Sequence, residues 1–352
     1  MVLSNNTSWS KLETLDLSYN NLGVVGARAL SENSSWVSLR NFDLRSNDIR
    51  DEGMRALTKN TSWINLSVLK LSLNNIKDKG AVPFEPLKET VIDKTELSER
   101  SKSHTSLDAS FNLRATDGGE LFRNPSSWTR LTDIDLSNNG ISYQGVAVFG
   151  LCNLFVNLQK LNLSSNKIGP KGAREFSKSI CWKNLTKLGL SSNLLGDRGA
   201  RALSRNKLWT NLATLDLSRN YIYDKGAAWL SKNSSWKNLT TLKLYNIIGA
   251  NGVAALRENK IWIQLTTLDL STNVINDQGA VELSKNNTWT NLVSLDLLWN
   301  TISEEGATAL SGNRYWSKLK ELFLSVSTLQ KNGKENLKKD ECTGISMSGI
   351  TL

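Results

Sequence analysis

A seven-residue phrase is rewritten along this chain at a fixed beat. It reads "LSNNTSW" from Leu3 to Trp9, "LSENSSW" ending at Trp36, "LTKNTSW" at Trp63, "LSKNSSW" at Trp236 and "LSKNNTW" at Trp289. With the tryptophan as phase marker, the beat falls at Trp9, Trp36, Trp63, Trp128, Trp182, Trp209, Trp236, Trp262, Trp289 and Trp316, and most steps are 27 residues. The gap from Trp128 to Trp182 is two steps, with Phe155 at its midpoint. The gap from Trp63 to Trp128 exceeds two steps by 11 residues, and "SLDASFN" at 106–112 places the missing marker at Ser101. The chain thus holds 12 phases, one of them enlarged by an insertion. A unit this short cannot bury its own apolar edge, so neighbouring units must stack to form one core.

Each unit has an internal grammar. The first reads Trp9, Leu12, Leu15, Leu17, Asn20, Leu22, Gly26, Ala27, Leu30, and the eighth repeats it as Trp209, Leu212, Leu215, Leu217, Asn220, Ile222, Gly226, Ala227, Leu230. The Leu-x-Leu stretch alternates, which is strand periodicity with one face buried. The Gly-Ala-x-x-Leu stretch has helical spacing. Asp51, Asp78, Asp197, Asp224 and Asp277 stand two residues before that glycine, placed to accept from the free amides of a first helical turn. The asparagine column (Asn20, Asn47, Asn74, Asn112, Asn139, Asn166, Asn193, Asn220, Asn273, Asn300) predicts buried amides that satisfy the turn backbone. The marker tryptophans keep phase with the core leucines and predict filler between helix layer and sheet rather than a ligand-stacking row.

The pattern Leu-x-Leu-Ser-x-Asn-x-Ile-x-Asp-x-Gly-Ala at 268–280 resembles the ribonuclease-inhibitor-like class of leucine-rich repeats. The resemblance covers residues 3 to 338. It implies an α/β solenoid of about 12 repeats: a right-handed horseshoe with a parallel sheet on the concave face and short helices on the convex face. Protein recognition is the usual task it implies, and ribonuclease inhibition is not implied, because those inhibitors are acidic and rich in cysteine. Residues 1–340 then form the repeat domain, with an insertion at 81–100 and a short tail at 341–352.

Composition narrows the chemistry. Cys152, Cys181 and Cys342 are too spread for a disulfide framework or a metal cluster and point to a reducing, cytoplasmic or otherwise intracellular setting, which includes delivery into a host cell by a microbe living there. No apolar run is long enough for a membrane span, and "MVLSNNTSW" has no signal-peptide pattern. The many Asn-x-Ser/Thr triplets, such as those at Asn33 and Asn238, recur with the phrase and read as its by-product. The lone His104 has no triad or metal partners in sequence, and no glycine-rich phosphate loop occurs. The expectation is a non-enzyme without metal or cofactor.

Several stretches break the pattern. "AVPFEPLKETVIDKTELSER" at 81–100 carries Pro83 and Pro86, and the repeat after it has Ala109 in place of a core leucine. The turn in "LKLYNIIGANG" at 242–252 is one residue short. No polar cap precedes Trp9, which reads as a fragment of a longer protein or as an end covered by a partner or second copy.

The partner surface is expected on the outward strand positions. The central column reads Asp16, Asp43, Lys70, Asp108, Asp135, Asn162, Gly189, Asp216, Lys243, Asp269, Asp296, Phe323. Flanking positions are mostly Thr and Ser. Arg28, Arg55, Lys59, Lys178, Arg201, Arg205, Lys232 and Lys285 fall on the helix side, so a formal charge of +10 separates into an acidic inner face and a basic outer one. Tyr19, Phe111, Arg219, Tyr245, Leu298 and Trp299 interrupt the copied pattern at exposed positions, with Trp299 the best aromatic anchor. The reading is a recognition module that binds another protein across the concave face, a basic one being the kind that the acidic column suits, through Asp16, Asp43, Asp108, Asp135, Asp216, Asp269, Asp296, Tyr19, Arg219, Tyr245 and Trp299. Its alternatives are a nucleic-acid-associated protein using the convex face and a regulator of a small GTPase. The sequence does not choose a homo-oligomeric state.

Overall fold

The computed structural model describes residues 3–76, 105–110, 112, 131–150, 156–178 and 182–325. The insertion at 81–100, His104, Phe111, Trp128, Phe155, the three cysteines and the tail at 341–352 lie outside them. Each L-x-L stretch is a short strand. These are β1 (Thr14–Asp16), β2 (Asn41–Asp43), β3 (Val68–Lys70), β4 (Thr105–Asp108), β5 (Leu131–Asp135), β6 (Lys160–Asn162), β7 (Lys187–Gly189), β8 (Thr214–Asp216), β9 (Thr241–Lys243), β10 (Thr267–Asp269), β11 (Ser294–Leu297) and β12 (Glu321–Leu324). They form a parallel sheet ordered as in the chain. The helices described are α1 (Gly23–Ser31), α2 (Arg50–Leu57), α3 (Tyr143–Gly150), α4 (Gly169–Lys178), α5 (Gly196–Leu203), α6 (Asp224–Leu230), α7 (Ala250–Arg257), α8 (Asp277–Ser284) and α9 (Glu304–Ser311).

Residues 1–340, read from the repeat as one domain, belong to two compact units: Met1–Ile168 with Lys178–Leu188, and Gly169–Ser177 with Gly189–Leu352. In the first, Leu15, Phe42, Leu69, Leu107, Ile134 and Leu161 pair in exact register from β1 to β6. A bulge between β4 and β5 leaves Thr132 over, in the repeat whose core leucine is Ala109. In the second, Leu215, Leu242, Leu268, Leu295 and Leu322 stack in the same way from β8 to β12. Strand side chains alternate, so one column faces the helices and the other faces solvent.

Two asparagine spines hold the repeats together. Within the second unit, the backbone N–H of Asn193 donates to Asn220 Oδ1 (2.9 Å), that of Asn220 to Asn246 Oδ1 (2.7 Å) and that of Asn246 to Asn273 Oδ1 (3.1 Å). Each amide nitrogen in turn donates to carbonyls of its own turn and of the preceding repeat, as Asn220 does to Leu217 and Leu190. The second spine uses the asparagine of the recurring phrase. Asn233 Oδ1 accepts from the N–H of Ser235 and Trp236, while its Nδ2 donates to the carbonyls of Ser204 and Asn206. That explains the glycosylation-like triplets of the phrase: Asn33, Asn60, Asn233 and Asn286 are at most 5 % exposed, and their nitrogens are committed to the backbone; Asn238, outside the phrase, is exposed, with its Nδ2 donating to the Thr210 carbonyl.

The described marker tryptophans are core as expected, except Trp9, which is 41 % exposed in the first repeat, with no described repeat before it to cover it. Trp36, Trp63, Trp182, Trp209, Trp236, Trp262 and Trp289 are fully buried. Phe42 stands edge-on between Trp36 and Trp63, with ring centres 6.4 and 5.2 Å away.

The aspartates before the helical glycine do cap helices, but those of the following repeat. Asp197 Oδ1 accepts from the N–H of Tyr223 and Gly226, Asp224 Oδ1 from Gly249, and Asp277 Oδ1 from Ser303 and Gly306. A carboxylate at one helix start therefore tethers the next. The glycine is needed for this approach: a Cβ on Gly226 would stand 2.5 Å from Asp197 Oδ1.

Candidate functional site

The outward column of the sheet is built on the turn that ends each strand. In "LDLS", the aspartate's Oδ1 reaches forward two residues and accepts the backbone N–H there. Asp16 holds Ser18 (2.9 Å), Asp108 holds Ser110 (3.0 Å), Asp135 holds Ser137 (2.9 Å), Asp216 holds Ser218 (2.9 Å), Asp269 holds Ser271 (3.0 Å) and Asp296 holds Leu298 (2.9 Å). The serine hydroxyl adds a second bond at Asp16, Asp108, Asp135 and Asp269. This is the side-chain turn that Asp and Asn favour. Asn162 performs it with an amide, its Oδ1 accepting from Ser164 N–H at 3.1 Å. The aspartate column therefore has a folding role that the sequence reading missed; the serine two residues on is the signal that carries it. The turn takes one carboxylate oxygen of each of these aspartates, Oδ1.

Within the first unit, Asp16, Asp43, Lys70, Asp108, Asp135 and Asn162 are in register. Their charges are not equally available. Asp43 is buried, clasped by Arg45 (2.7 Å) and Lys70 (3.3 Å). Burial pushes its carboxyl up, and the bonds from Arg45 and Lys70 more than offset that, leaving it below its ordinary value. Asp135 Oδ2 accepts from Asn162 Nδ2 at 2.9 Å. Asp16 is exposed, and the Ser18 hydroxyl and N–H hold its carboxyl below its ordinary value.

Within the second unit, Asp216, Lys243, Asp269, Asp296 and Phe323 are in register. Burial raises the Asp296 carboxyl, neighbouring Asp269 adds to the rise, and the Leu298 N–H opposes it. An acid raised in the fold weakens stability where it is ionised, and stability returns as pH falls through its folded pKa. Asp296→Asn, which keeps the turn acceptor, is thus expected to melt higher than wild type at neutral pH. That gain should shrink as pH falls into the carboxylate range. Thermal melts of both forms across a pH series check it, and a gain that persists unchanged into acid would contradict it.

The aromatic and cationic exceptions occupy the residue before the spine asparagine. Tyr19, Arg219 and Trp299 all have positive φ there (59°, 54° and 57°). Tyr19 is 71 % and Trp299 59 % exposed. Arg219 lies over the ring of half-buried Tyr245 at 5.1 Å, so these two act as one unit. On the helix side, Arg201 and Lys232 both lie over the Trp229 ring, at 4.4 and 4.8 Å, whereas Lys285 pairs with Glu282. Among the described residues, no group of three His, Cys, Asp or Glu is placed to hold a metal ion, and no helix is long and apolar enough to cross a membrane.

The comparisons agree with this architecture. A family model described as Leucine Rich repeat matches residues 10–31, 37–57, 64–84, 129–150, 156–177, 183–204, 264–284 and 290–311. No curated protein matches the sequence. Among solved structures, an internalin from Listeria monocytogenes is 20 % identical with a TM-score of 0.53, over 88 % of this chain and 86 % of its own. The TLR13–ssRNA13 complex gives 19 % and 0.51, over 90 % of this chain and 40 % of that one. The yeast Rad7–Elc1 complex gives 17 % and 0.52, over 83 % and 73 %. At these identities the likeness is one of fold.

Proposed function

From the premise that this chain is a leucine-rich repeat protein, a fold that typically serves as a non-enzymatic scaffold for protein–protein interaction, we propose that it recognises a basic segment of another protein on its strand face, the concave side of the expected horseshoe. The 27-residue unit with a full helical turn favours the ribonuclease-inhibitor-like subclass. One observation carries the reading. Asp216 and Asp269 each spend one oxygen on their own turn and present the other from a rigid strand, with Lys243 between them and Trp299 exposed nearby in the next turns. Fixed charges in a set order on rigid strands, two carboxylates flanking a lysine, give steering and register, and an exposed aromatic gives an anchor.

The turn bond dictates the test. Reversing these aspartates to lysine would break the turn along with the charge, whereas Asn162 shows that an amide keeps it. Asp216→Asn, Asp269→Asn and Asp296→Asn together should leave the fold intact. They should abolish capture of a protein partner from cell lysate that the wild type retains at low salt and releases as salt rises. A partner list unchanged by the triple substitution would remove the strand face from recognition.

A further inference from the structure

The first described repeat carries half of a bond set that every later repeat completes. In the interior, the asparagine of the recurring phrase donates its Nδ2 to two carbonyls of the preceding repeat. Asn33 donates to Ser4 and Asn6, Asn60 to Ser31 and Asn33, and Asn313 to Ser284 and Asn286. Asn6 holds the same place in the first repeat. Its Oδ1 accepts from Ser8 and Trp9, but its Nδ2 has no partner among the described residues. Asn20, the first spine asparagine, is exposed, and its Oδ1 accepts no bond among them, whereas Asn47 Oδ1 takes the N–H of Asn20 and Leu22.

The backbone and the apolar groups of this edge are open in the same way. β1 is an outer strand of the sheet. In the interior, the residue before a strand lends its carbonyl to two N–H groups of the next repeat: Glu13 to Arg40 and Asn41, and Val293 to Lys320 and Glu321. The N–H groups of Glu13 and Thr14 have the phase of Arg40 and Asn41, so they point away from β2 and meet no described carbonyl. Trp9 is exposed and Leu12, Leu15, Leu17 and Leu22 are half-buried, where Trp36, Leu39, Phe42, Leu44 and Ile49 are fully buried.

The last described repeat offers the missing half. The carbonyls of Ser311 and Asn313 have the phase of Ser284 and Asn286, and that of Lys320 has the phase of Val293; none accepts a bond among the described residues. Leu319 and Leu322, in phase with Leu12 and Leu15, are half-buried. The sequence beyond does not continue the pattern. Asp340 stands where the next phrase asparagine belongs and has no side-chain N–H to donate, and Thr343, Ser346 and Gly349 stand at the tryptophan and leucine phases. Charge agrees with a fit between the two edges. Arg40 lies 3.9 Å from Glu13, and Lys320 has the phase of Arg40, so a β12 placed beside β1 puts Lys320 on the other flank of Glu13. One like pair, Lys11 with Lys318, opposes this, and Lys318 Nζ is drawn off to Asn291 Oδ1 at 2.6 Å.

We propose that this chain associates head to tail with copies of itself, the β1 edge of one copy closing against the β12 edge of the next. Thr14, Leu15 and Asp16 then face Glu321, Leu322 and Phe323 of the neighbouring copy, as Ser294, Leu295 and Asp296 face them within the chain. A second copy is the occupant because the donors and carbonyls that complete each other are both carried by this chain. The two edges differ, so the contact is heterologous and can repeat beyond a dimer. It involves neither the aspartate column nor its partner.

Sedimentation velocity of the full chain should show an average mass that rises with concentration through the micromolar range and exceeds that of a dimer. Trp9→Glu with Thr14→Pro blocks the β1 edge alone, since a proline there removes an N–H that the fold does not use. This variant should melt near the wild type and stay monomeric by itself. In excess over wild type it should form an equimolar complex, because its β12 edge is intact. A wild type that is monomeric throughout, or a blocked variant that still self-associates, would overturn the proposal. So would a folded variant that ignores the wild type, which would assign the β1 edge to symmetrical pairing. Exposed charges give a check that spares the fold. Glu13→Lys and Lys320→Glu should each weaken association about two- to fivefold, and the double variant should restore it. A double variant no better than the single ones would overturn the head-to-tail register.

Discussion

Replacing Asn220 by alanine is expected to destabilise the chain by about 3–5 kcal/mol, a large effect for a polar substitution. The side chain is fully buried. Its Oδ1 accepts from the N–H groups of Asn193 (2.9 Å) and Leu195 (3.3 Å), and its Nδ2 donates to the carbonyls of Leu190 (2.8 Å), Leu217 (3.0 Å) and Ser218 (3.0 Å). Alanine removes five bonds and leaves their backbone partners in a space that water cannot easily enter. A buried donor or acceptor left unmade costs about 1–3 kcal/mol, so two or three such groups suffice for the estimate. Aspartate is no rescue, since it keeps the acceptor, loses the donors and buries a charge. Urea denaturation of Asn220→Ala beside the exposed control Lys237→Ala, expected within about 0.5 kcal/mol of wild type, makes the measurement. A loss below about 1 kcal/mol for Asn220→Ala would show that the spine does not carry the stack.

The spine was legible in the sequence because it needs one residue type at one phase. So were the strands, whose Leu-x-Leu pairs recur in register, and the tryptophans, which keep phase with them. What failed to show were interactions whose partner lies one period away. Asp197 stands two residues before its own helical glycine, Gly199, but its oxygen reaches Gly226 in the next repeat. Sequence alone cannot separate those two amides, because both occupy the same phase. The strand aspartates were all read as outward, yet Asp43 is buried under Arg45 and Lys70, and their bond to the residue two ahead went unread, although a serine marks it at Ser18, Ser110, Ser137, Ser218 and Ser271.

These cases share a cause. A repeat makes every position both a local turn element and a rung in a ladder, and the ladder decides its energetics. That is why the informative positions are those where the ladder changes composition while the backbone stays the same. Lys243 between Asp216 and Asp269 is one, and Tyr221 in a column that elsewhere holds Asn21 and Asn75 is another.

The tryptophan row provides the second large effect. Trp236→Ala is expected to cost about 3–5 kcal/mol, because a fully buried indole leaves a void that rigid neighbouring repeats cannot close. Phenylalanine should cost far less than alanine, and the reason is polar as well as steric. The indole N–H groups of Trp36, Trp209, Trp236, Trp262 and Trp289 are buried without a hydrogen-bond acceptor, whereas Trp316 reaches Asn286 Oδ1 at 3.4 Å. Trp236→Phe removes that unmet donor, worth about 1–3 kcal/mol, and so offsets part of the lost packing. The chain itself uses Phe155 at one phase of the row. Urea denaturation of the two variants should therefore rank alanine well below phenylalanine, with phenylalanine within about 2 kcal/mol of wild type. Equal losses would mean that the N–H is satisfied in solution, by a trapped water, and that the row is held by polar contacts as well as by volume.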